Sequence, residues 1–289
     1  MGVTPVVYGQ SSRPPRGDYS RAASDYTCTQ NYAAYTEQDH ATWRLLYARQ
    51  RALLPGRACQ AFIDCLSRLD AAEHIPHFES INARLKPATG WEIVGVPGLI
   101  PELDFFRLLS QRRFPVTDWI RGAHELDYVV EPDIFHDLFG HVPLLFHPAI
   151  ADYMQAYGAG GLKAQHLGAM EMLARLYWYT IEFGLIREGG CLRAYGAGIL
   201  SSAGELDYSV HSPAPQRLPL TLARTMRTRY RIDAYQQTYF VIDDLQALLA
   251  FAAEDFTPLY RQLADLPALA ADAQLPGEAR IMLPGSLDR

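Results

Sequence analysis

Cysteine is scarce in this sequence. Its 289 residues hold four, at Cys28, Cys59, Cys65 and Cys191, with no C-x-x-C pair and no zinc-ribbon spacing. No run of 18 apolar residues occurs, so no segment is long enough to span a bilayer. The first twenty residues are polar and Pro-rich and lack an apolar signal core. Basic charge is not in excess either: 26 Lys and Arg stand against 32 Asp and Glu, for a formal net charge of -6. The Arg-rich spots at Arg112-Arg113 and from Arg224 to Arg231 are short and diluted by acids, so no nucleic-acid partner is expected. Neither an internal repeat nor a heptad is present, which leaves nothing to drive a coiled-coil oligomer. These absences together lead to the expectation of a reduced, cytoplasmic, monomeric protein.

What is present is apolar residues, at 49%, enough for one large domain or two small ones. Residues 1–24 read as a flexible arm rich in Gly, Pro, Ser and Arg, residues 25–266 as the folded domain, and residues 267–289 as a Pro/Gly/Ala-rich tail. Helical periodicity begins near Glu37 and stops at Pro55-Gly56, then resumes from Ala58 to Leu69 and from Phe78 to Leu85. A short strand fits Gly90 to Pro97, a helix follows Pro101, and Phe114-Pro115-Val116 is extended. A helix starting at Glu131-Pro132 carries His136, and a short one spans Ala151 to Tyr157. Gly160-Gly161 reads as a loop. Gly168 to Leu185 reads as one long buried helix ended by Gly189-Gly190, and Ala194 to Glu205 as a structured turn region. Leu220 to Arg227 and Leu245 to Glu254 read as helices, with Tyr239 to Ile242 as a strand between them. The fold class expected is mostly α with a few short β strands, in a single domain.

One stretch stands out: Glu131-Pro132-Asp133-Ile134-Phe135-His136-Asp137-Leu138-Phe139-Gly140-His141-Val142-Pro143. Two imidazoles five residues apart lie beside acids in an apolar run, and Glu182 is the one acid of the apolar segment Leu176 to Leu185. Buried polar groups need partners, and two histidines with a carboxylate form a metal-ligand set with open positions. On an ideal α-helix His136 and His141 point about 140° apart and differ in height by about 7.5 Å. A helix end at Gly140 or Pro143 is therefore expected to turn His141 back to the metal. The ligand set fits a non-haem Fe(II) facial triad, and it equally fits a thermolysin-like zinc with Asp137 as a base. Two core histidines and a Glu182–Arg175 ion pair, or a structural metal closed by His147, are the other readings open at this point. Trp178, Tyr177, Tyr179, Phe183, Phe135 and Phe139 around these residues favour an apolar, ring-shaped substrate, although such residues also simply fill cores.

The histidine block, the block Leu176-Tyr177-Trp178-Tyr179-Thr180-Ile181-Glu182-Phe183-Gly184-Leu185, and the block Ala194-Tyr195-Gly196-Ala197-Gly198-Ile199-Leu200-Ser201-Ser202 occur in that order. With Pro97-Gly98-Leu99-Ile100-Pro101, Arg112-Arg113-Phe114-Pro115-Val116, Arg229-Tyr230-Arg231-Ile232-Asp233 and Tyr239-Phe240-Val241-Ile242-Asp243, they make the chain resemble the pterin-dependent aromatic amino acid hydroxylases from about Tyr26 to Leu263. The resemblance is greatest to the bacterial members that act on phenylalanine. It implies a basket-shaped catalytic domain over residues 25–266, Fe(II), a tetrahydropterin cosubstrate, dioxygen, and hydroxylation of L-phenylalanine to L-tyrosine.

The resemblance also implies roles for particular residues. His136, His141 and Glu182 are the iron ligands, and Tyr177 lies near iron and pterin. Gly98, Ile100 and Phe105 form the pterin wall, with Phe106 an alternative to Phe105, and Asp137 approaches the pterin. Arg121 clamps the substrate carboxylate, a task its guanidinium fork suits better than an ammonium. Tyr128, Pro132, Trp178 and Ser201 complete the amino-acid pocket, and Glu205 supports the site from behind. Val129 stands where animal phenylalanine enzymes carry threonine, and Ile232 where tyrosine-specific relatives carry an acid. With only about 25 residues before the match and a Pro/Gly tail after it, a monomer without allosteric activation is expected.

Overall fold

The computed structural model describes residues 16–283 apart from Tyr128 and Val130. It is mostly helical with two small sheets. Helix α1 (Glu37–Leu53) opens on a capping box, in which Thr36 accepts from the Asp39 amide and the Asp39 carboxylate accepts from the Thr36 amide. Such a box satisfies two end donors at once. Helices α2 (Gln60–Leu66) and α3 (Phe78–Thr89) follow. Strand β1 (Glu92–Val96), α4 (Glu102–Ser110) and β2 (Arg113–Thr117) then form a β-α-β unit whose two strands pair in parallel.

Past residue 134 the chain runs through a π-helical turn (His136–His141), α5 (Val142–Leu145), α6 (Pro148–His166), α7 (Met170–Tyr177) and a second π turn (Trp178–Glu182). Strands β3 (Leu185–Glu188) and β4 (Cys191–Ala194) form a hairpin, and short helices α8 (Ala197–Leu200) and α9 (Ala203–His211) follow. Strand β5 (Gln216–Pro219), α10 (Leu222–Arg227), β6 (Thr238–Ile242), α11 (Gln246–Ala252) and α12 (Thr257–Leu263) complete the domain. The second sheet has the order β4-β3-β6-β5, with every residue of β6 buried. Among the described residues no helix is long and apolar enough to cross a membrane.

Four sequence expectations are corrected here. Gly160-Gly161 is not a loop but lies inside α6, because a glycine stripe there lets α4 approach. A Cβ on Gly161 would sit 1.9 Å from the Phe106 ring, and one on Gly158 2.4 Å from the Ser110 amide nitrogen. The helix expected over Gly168 to Leu185 is shorter, running without a break from Met170 through the π turn to Glu182, and Leu185 already belongs to β3. Gly189-Gly190 is the hairpin turn, with both φ angles positive at 58° and 77°, as a tight two-residue hairpin requires. The stretch from Ala194 to Glu205 holds two helices, although its glycines read as turn signals.

Of the expected arm, residues 16–24 are described. The Arg16 guanidinium pairs with Glu125, the Tyr19 hydroxyl donates to the Leu99 carbonyl at 2.7 Å, and Arg21 pairs with Asp118. Of the expected tail, Leu269 pairs with Thr228 and the Ile281 amide donates to the Arg217 carbonyl.

The candidate site rests on an aromatic floor. Phe135 and Phe139 are fully buried and stack at 4.9 Å between centroids. Trp43 and Tyr47 of α1 and Phe62 of α2 pack edge-on or tilted against them. This floor holds the histidine-bearing turn by the face opposite its imidazoles.

Candidate metal centre

The first unexpected feature is the π turn that spans both histidines. A helix end was expected near Gly140, but the helix continues from Ile134 to Leu145, and the Val142 amide donates to the Asp137 carbonyl five residues back. Closing i→i+5 bonds brings residues five apart to the same side. The separation that an ordinary α-helix would impose on His136 and His141 therefore disappears. Gly140 serves packing instead: a Cβ there would lie 2.9 Å from the Ala197 carbonyl oxygen. Glu182 is delivered by a second turn of the same kind, where the Phe183 amide donates to the Trp178 carbonyl at 2.8 Å.

The three donor groups meet. His136 Nε2 and His141 Nε2 are 3.1 Å apart, His141 Nε2 lies 3.1 Å from Glu182 Oε1, and His136 Nε2 lies 3.6 Å from Glu182 Oε2. Three ligands on one face of a metal, each about 2.1 Å from it, stand roughly 3 Å apart. The donors are thus spaced for one shared ion, and they are the one cluster of this kind among the described residues. Arg175, the alternative partner for Glu182, binds Glu171 and the Met226 carbonyl instead. His147 stays outside the cluster, so the closed structural site is not formed.

Surrounding hydrogen bonds prepare the donors. The Ser201 hydroxyl donates to the Ala197 carbonyl at 2.8 Å. Its oxygen accepts from His136 Nδ1 at 2.9 Å, which leaves the Nε2 lone pair facing the cluster. Burial above all pushes His136 down to about 4, so its ring is neutral and able to ligate. Burial also works to lower His141, but the Glu182 charge and hydrogen bond outweigh it and raise the group. Glu182 is held below the usual carboxylate range because His141 overcomes the effect of burial. The Tyr177 hydroxyl lowers Glu182 further. The glycines of the third motif permit this assembly: a Cβ on Gly196 would lie 2.5 Å from the Glu182 carbonyl oxygen, and one on Gly198 2.7 Å from the Phe183 ring.

The donors open into a cavity of about 570 Å³. Apart from Tyr128, which lies outside the described residues, and Phe106, every other residue given a role lines it: Gly98, Ile100, Phe105, Asp137, Arg121, Pro132, Tyr177, Trp178, Ser201, Glu205, Val129 and Ile232. Phe106 does not; it is fully buried against α6, whereas Phe105 faces the cavity and meets Tyr177 edge-on at 5.8 Å.

Arg121 is committed on one edge. Its Nε and Nη2 each lie 2.8 Å from the fully buried Asp133 carboxylate, which also accepts the amides of Arg121 and His136. Among the described residues, the Nη1 side of the guanidinium makes no such bond. Asp137 accepts the Thr117 amide at 2.7 Å, and burial raises it to about 7. Burial likewise raises Glu205 to about 7 although it accepts from the Gln236 amide and the Tyr239 hydroxyl.

Asp133, Glu131 and Gln236 were missed by sequence reasoning. Asp133 could have been found as an acid inside the histidine block. Glu131 presents a buried Oε1 with no partner among the described residues, beside Gly98, and nothing local in the sequence marks Gln236.

Two histidines and one glutamate spaced for a shared ion, open to an aromatic-walled cavity, define the class of mononuclear non-haem metal enzymes. The chain belongs to the biopterin-dependent aromatic amino acid hydroxylase family, whose model matches residues 4–257. It is 57% identical to the phenylalanine-4-hydroxylase of Chromobacterium violaceum over 247 residues, covering 85% of this chain and 83% of the relative. It is 54% identical to that of Ralstonia nicotianae over 272 residues, covering 94% and 84%. A crystal structure of the C. violaceum phenylalanine hydroxylase bound to cobalt superimposes with a TM-score of 0.88 at 54% identity, covering 90% of this chain and 95% of that one. Family membership removes the zinc hydrolase from the readings left open by the sequence.

Proposed function

We propose that the protein hydroxylates L-phenylalanine to L-tyrosine, using dioxygen and a tetrahydropterin at a mononuclear Fe(II) held by His136, His141 and Glu182. One observation carries the reading: the donor set, a buried guanidinium and apolar aromatic walls share a single cavity. Iron together with the reduced pterin would supply the activation of dioxygen.

The chain's own residues bind, orient and exclude water. Asp133 pins the Nε/Nη2 edge of Arg121, which presents the Nη1 side to the amino-acid carboxylate. Trp178, Phe183 and Pro132 supply apolar wall for the ring. On the other side, the edge-to-face pair of Phe105 and Tyr177 suits a flat heterocycle. The loop carrying Gly98 and Ile100 lies alongside it, with the unpartnered Glu131 Oε1 next to Gly98 as an acceptor for its N–H edge. Asp137, with one oxygen on the Thr117 amide, offers a further polar contact.

Ile232 cannot hydrogen-bond a tyrosine hydroxyl, so phenylalanine fits without a buried unpaired group. We also keep the monomer, which sedimentation would test. The decisive assay loads the protein with Fe(II), adds phenylalanine and tetrahydropterin, and follows tyrosine. Formation of tyrosine only in the presence of pterin is expected; its absence from fully iron-loaded protein would refute the reading.

A further inference from the structure

The side chain of Gln236 is almost wholly inaccessible, with 2% of the residue exposed, yet it directly follows the exposed cavity-lining residues Ile232, Asp233, Ala234 and Tyr235. Both ends of its amide are used. Oε1 accepts from the Trp178 indole Nε1 at 3.0 Å. Nε2 donates to the Arg231 carbonyl at 2.8 Å and to the Ala234 carbonyl at 3.4 Å. The backbone amide of the same residue donates to Glu205 Oε1, which also accepts from Tyr239 in β6. One residue therefore ties three parts of the cavity wall together: the indole, the loop 231–235, and the buried acid of α9.

That loop is also anchored at its ends, where Tyr230 stacks on Trp178 and Tyr235 packs its ring against Tyr208 at 5.2 Å. The Arg231–Asp233 ion pair joins two residues of the loop to each other, and both are exposed. Tyr235 is 44% exposed and Ile232 38% exposed, while both line the cavity. Trp178, by contrast, is clamped on its flat faces by Tyr230, stacked at 4.1 Å and 12°, and by Phe183 at 4.7 Å. Between those anchors the Gln236 amide joins the indole edge to the Arg231 and Ala234 carbonyls, and so sets the separation of indole and loop.

We infer that Gln236 is a positioning residue for substrate specificity. It fixes the gap between Trp178 and the 231–235 loop, and so the size of ring the cavity accepts. The inference rests on the aromatic amino acid reading given above. Glutamine suits the task because it offers an acceptor and a donor at one terminus, whereas glutamate keeps the acceptor and loses both donors.

The test compares the full-length iron-loaded protein with Gln236→Glu and Gln236→Met. Gln236→Glu keeps the bond to Trp178 Nε1 and releases the loop carbonyls; Gln236→Met releases both. Three readouts are taken: amide hydrogen exchange of residues 231–235 without ligand, calorimetric affinities for phenylalanine and tryptophan without pterin, and KM values for phenylalanine and tetrahydropterin.

Exchange should accelerate in both variants. The ratio of phenylalanine to tryptophan affinity should fall about three- to tenfold, the equivalent of one or two neutral hydrogen bonds. The phenylalanine KM should rise while the pterin KM stays put. A lowered Tm with an unchanged affinity ratio would reduce Gln236 to a purely structural residue and overturn the inference. Wild-type protein that binds both amino acids but forms no hydroxylated product would sink the proposed activity and leave the Gln236 test standing. An unchanged exchange rate in Gln236→Met would show that the loop is held by something else, and would also overturn it.

Discussion

Replacing Ser201 with alanine should weaken metal binding without removing any of the metal's own ligands. The Ser201 hydroxyl proton is spent on the Ala197 carbonyl, so the oxygen can only accept from His136 Nδ1. Alanine removes that acceptor, frees the His136 ring to rotate and to change tautomer, and leaves Nδ1–H without a partner in a site where Ser201 itself is 6% exposed. Loss of such an outer partner costs about 10–100-fold in metal affinity, or ~1.4–2.8 kcal/mol. The bond to Ala197 is lost as well, at ~1 kcal/mol of stability, which shifts Tm by only a few degrees. Anaerobic Fe(II) titration against a competing chelator measures the first quantity and calorimetric melting the second. Ser201→Thr keeps the hydroxyl and should recover most of the affinity. An alanine variant that binds Fe(II) within twofold of wild type while melting earlier would show that Ser201 serves α8 alone.

Glu205→Gln keeps an oxygen for both donors and removes an acid whose folded pKa is raised by burial to about 7 from 4.5. The folded state then binds the proton more tightly than the unfolded one, so wild-type stability falls as pH rises from about 4.5 to 7. The variant should gain on wild type across that window, up to a ceiling of ~3 kcal/mol, and the gain should be level above it; parallel denaturation curves at pH 5 and pH 8 would refute this. Gly161→Ala would normally help a helix, but its Cβ would meet the Phe106 ring, so a loss of ~1–3 kcal/mol is expected from overpacking, read as a lower Tm. Arg121→Met strips Asp133 of its ion pair in a fully buried position and should cost ~3–5 kcal/mol, seen in urea unfolding, in addition to any loss of amino-acid affinity.

Much of the site could be read from the residues alone. His136, His141 and Glu182 were legible because acids and imidazoles inside apolar runs need partners wherever the chain folds. The helix from Glu37 was legible because its cap and periodicity are local. Gly160-Gly161 and the helices between Ala194 and Glu205 were misread for one shared reason. Glycine looks the same in sequence whether it bends the chain or makes room for a neighbour, and at Gly161 and Gly196 the neighbour is Phe106 or the Glu182 backbone.

The sequence by itself determined the candidate chemistry: which three side chains could share an ion, and that the surroundings would be aromatic. Tertiary structure alone decided how five-residue spacing becomes chelation. The π turns at His136–His141 and Trp178–Glu182 cannot be read from side-chain periodicity, because they depend on Phe135 and Phe139 being held from below and on glycines 140, 196 and 198 admitting α8 against them. Tertiary structure likewise spent one edge of Arg121 on Asp133 and joined Gln236 to Trp178 across 58 residues. Such pairings are set by long-range packing, and no local propensity encodes them.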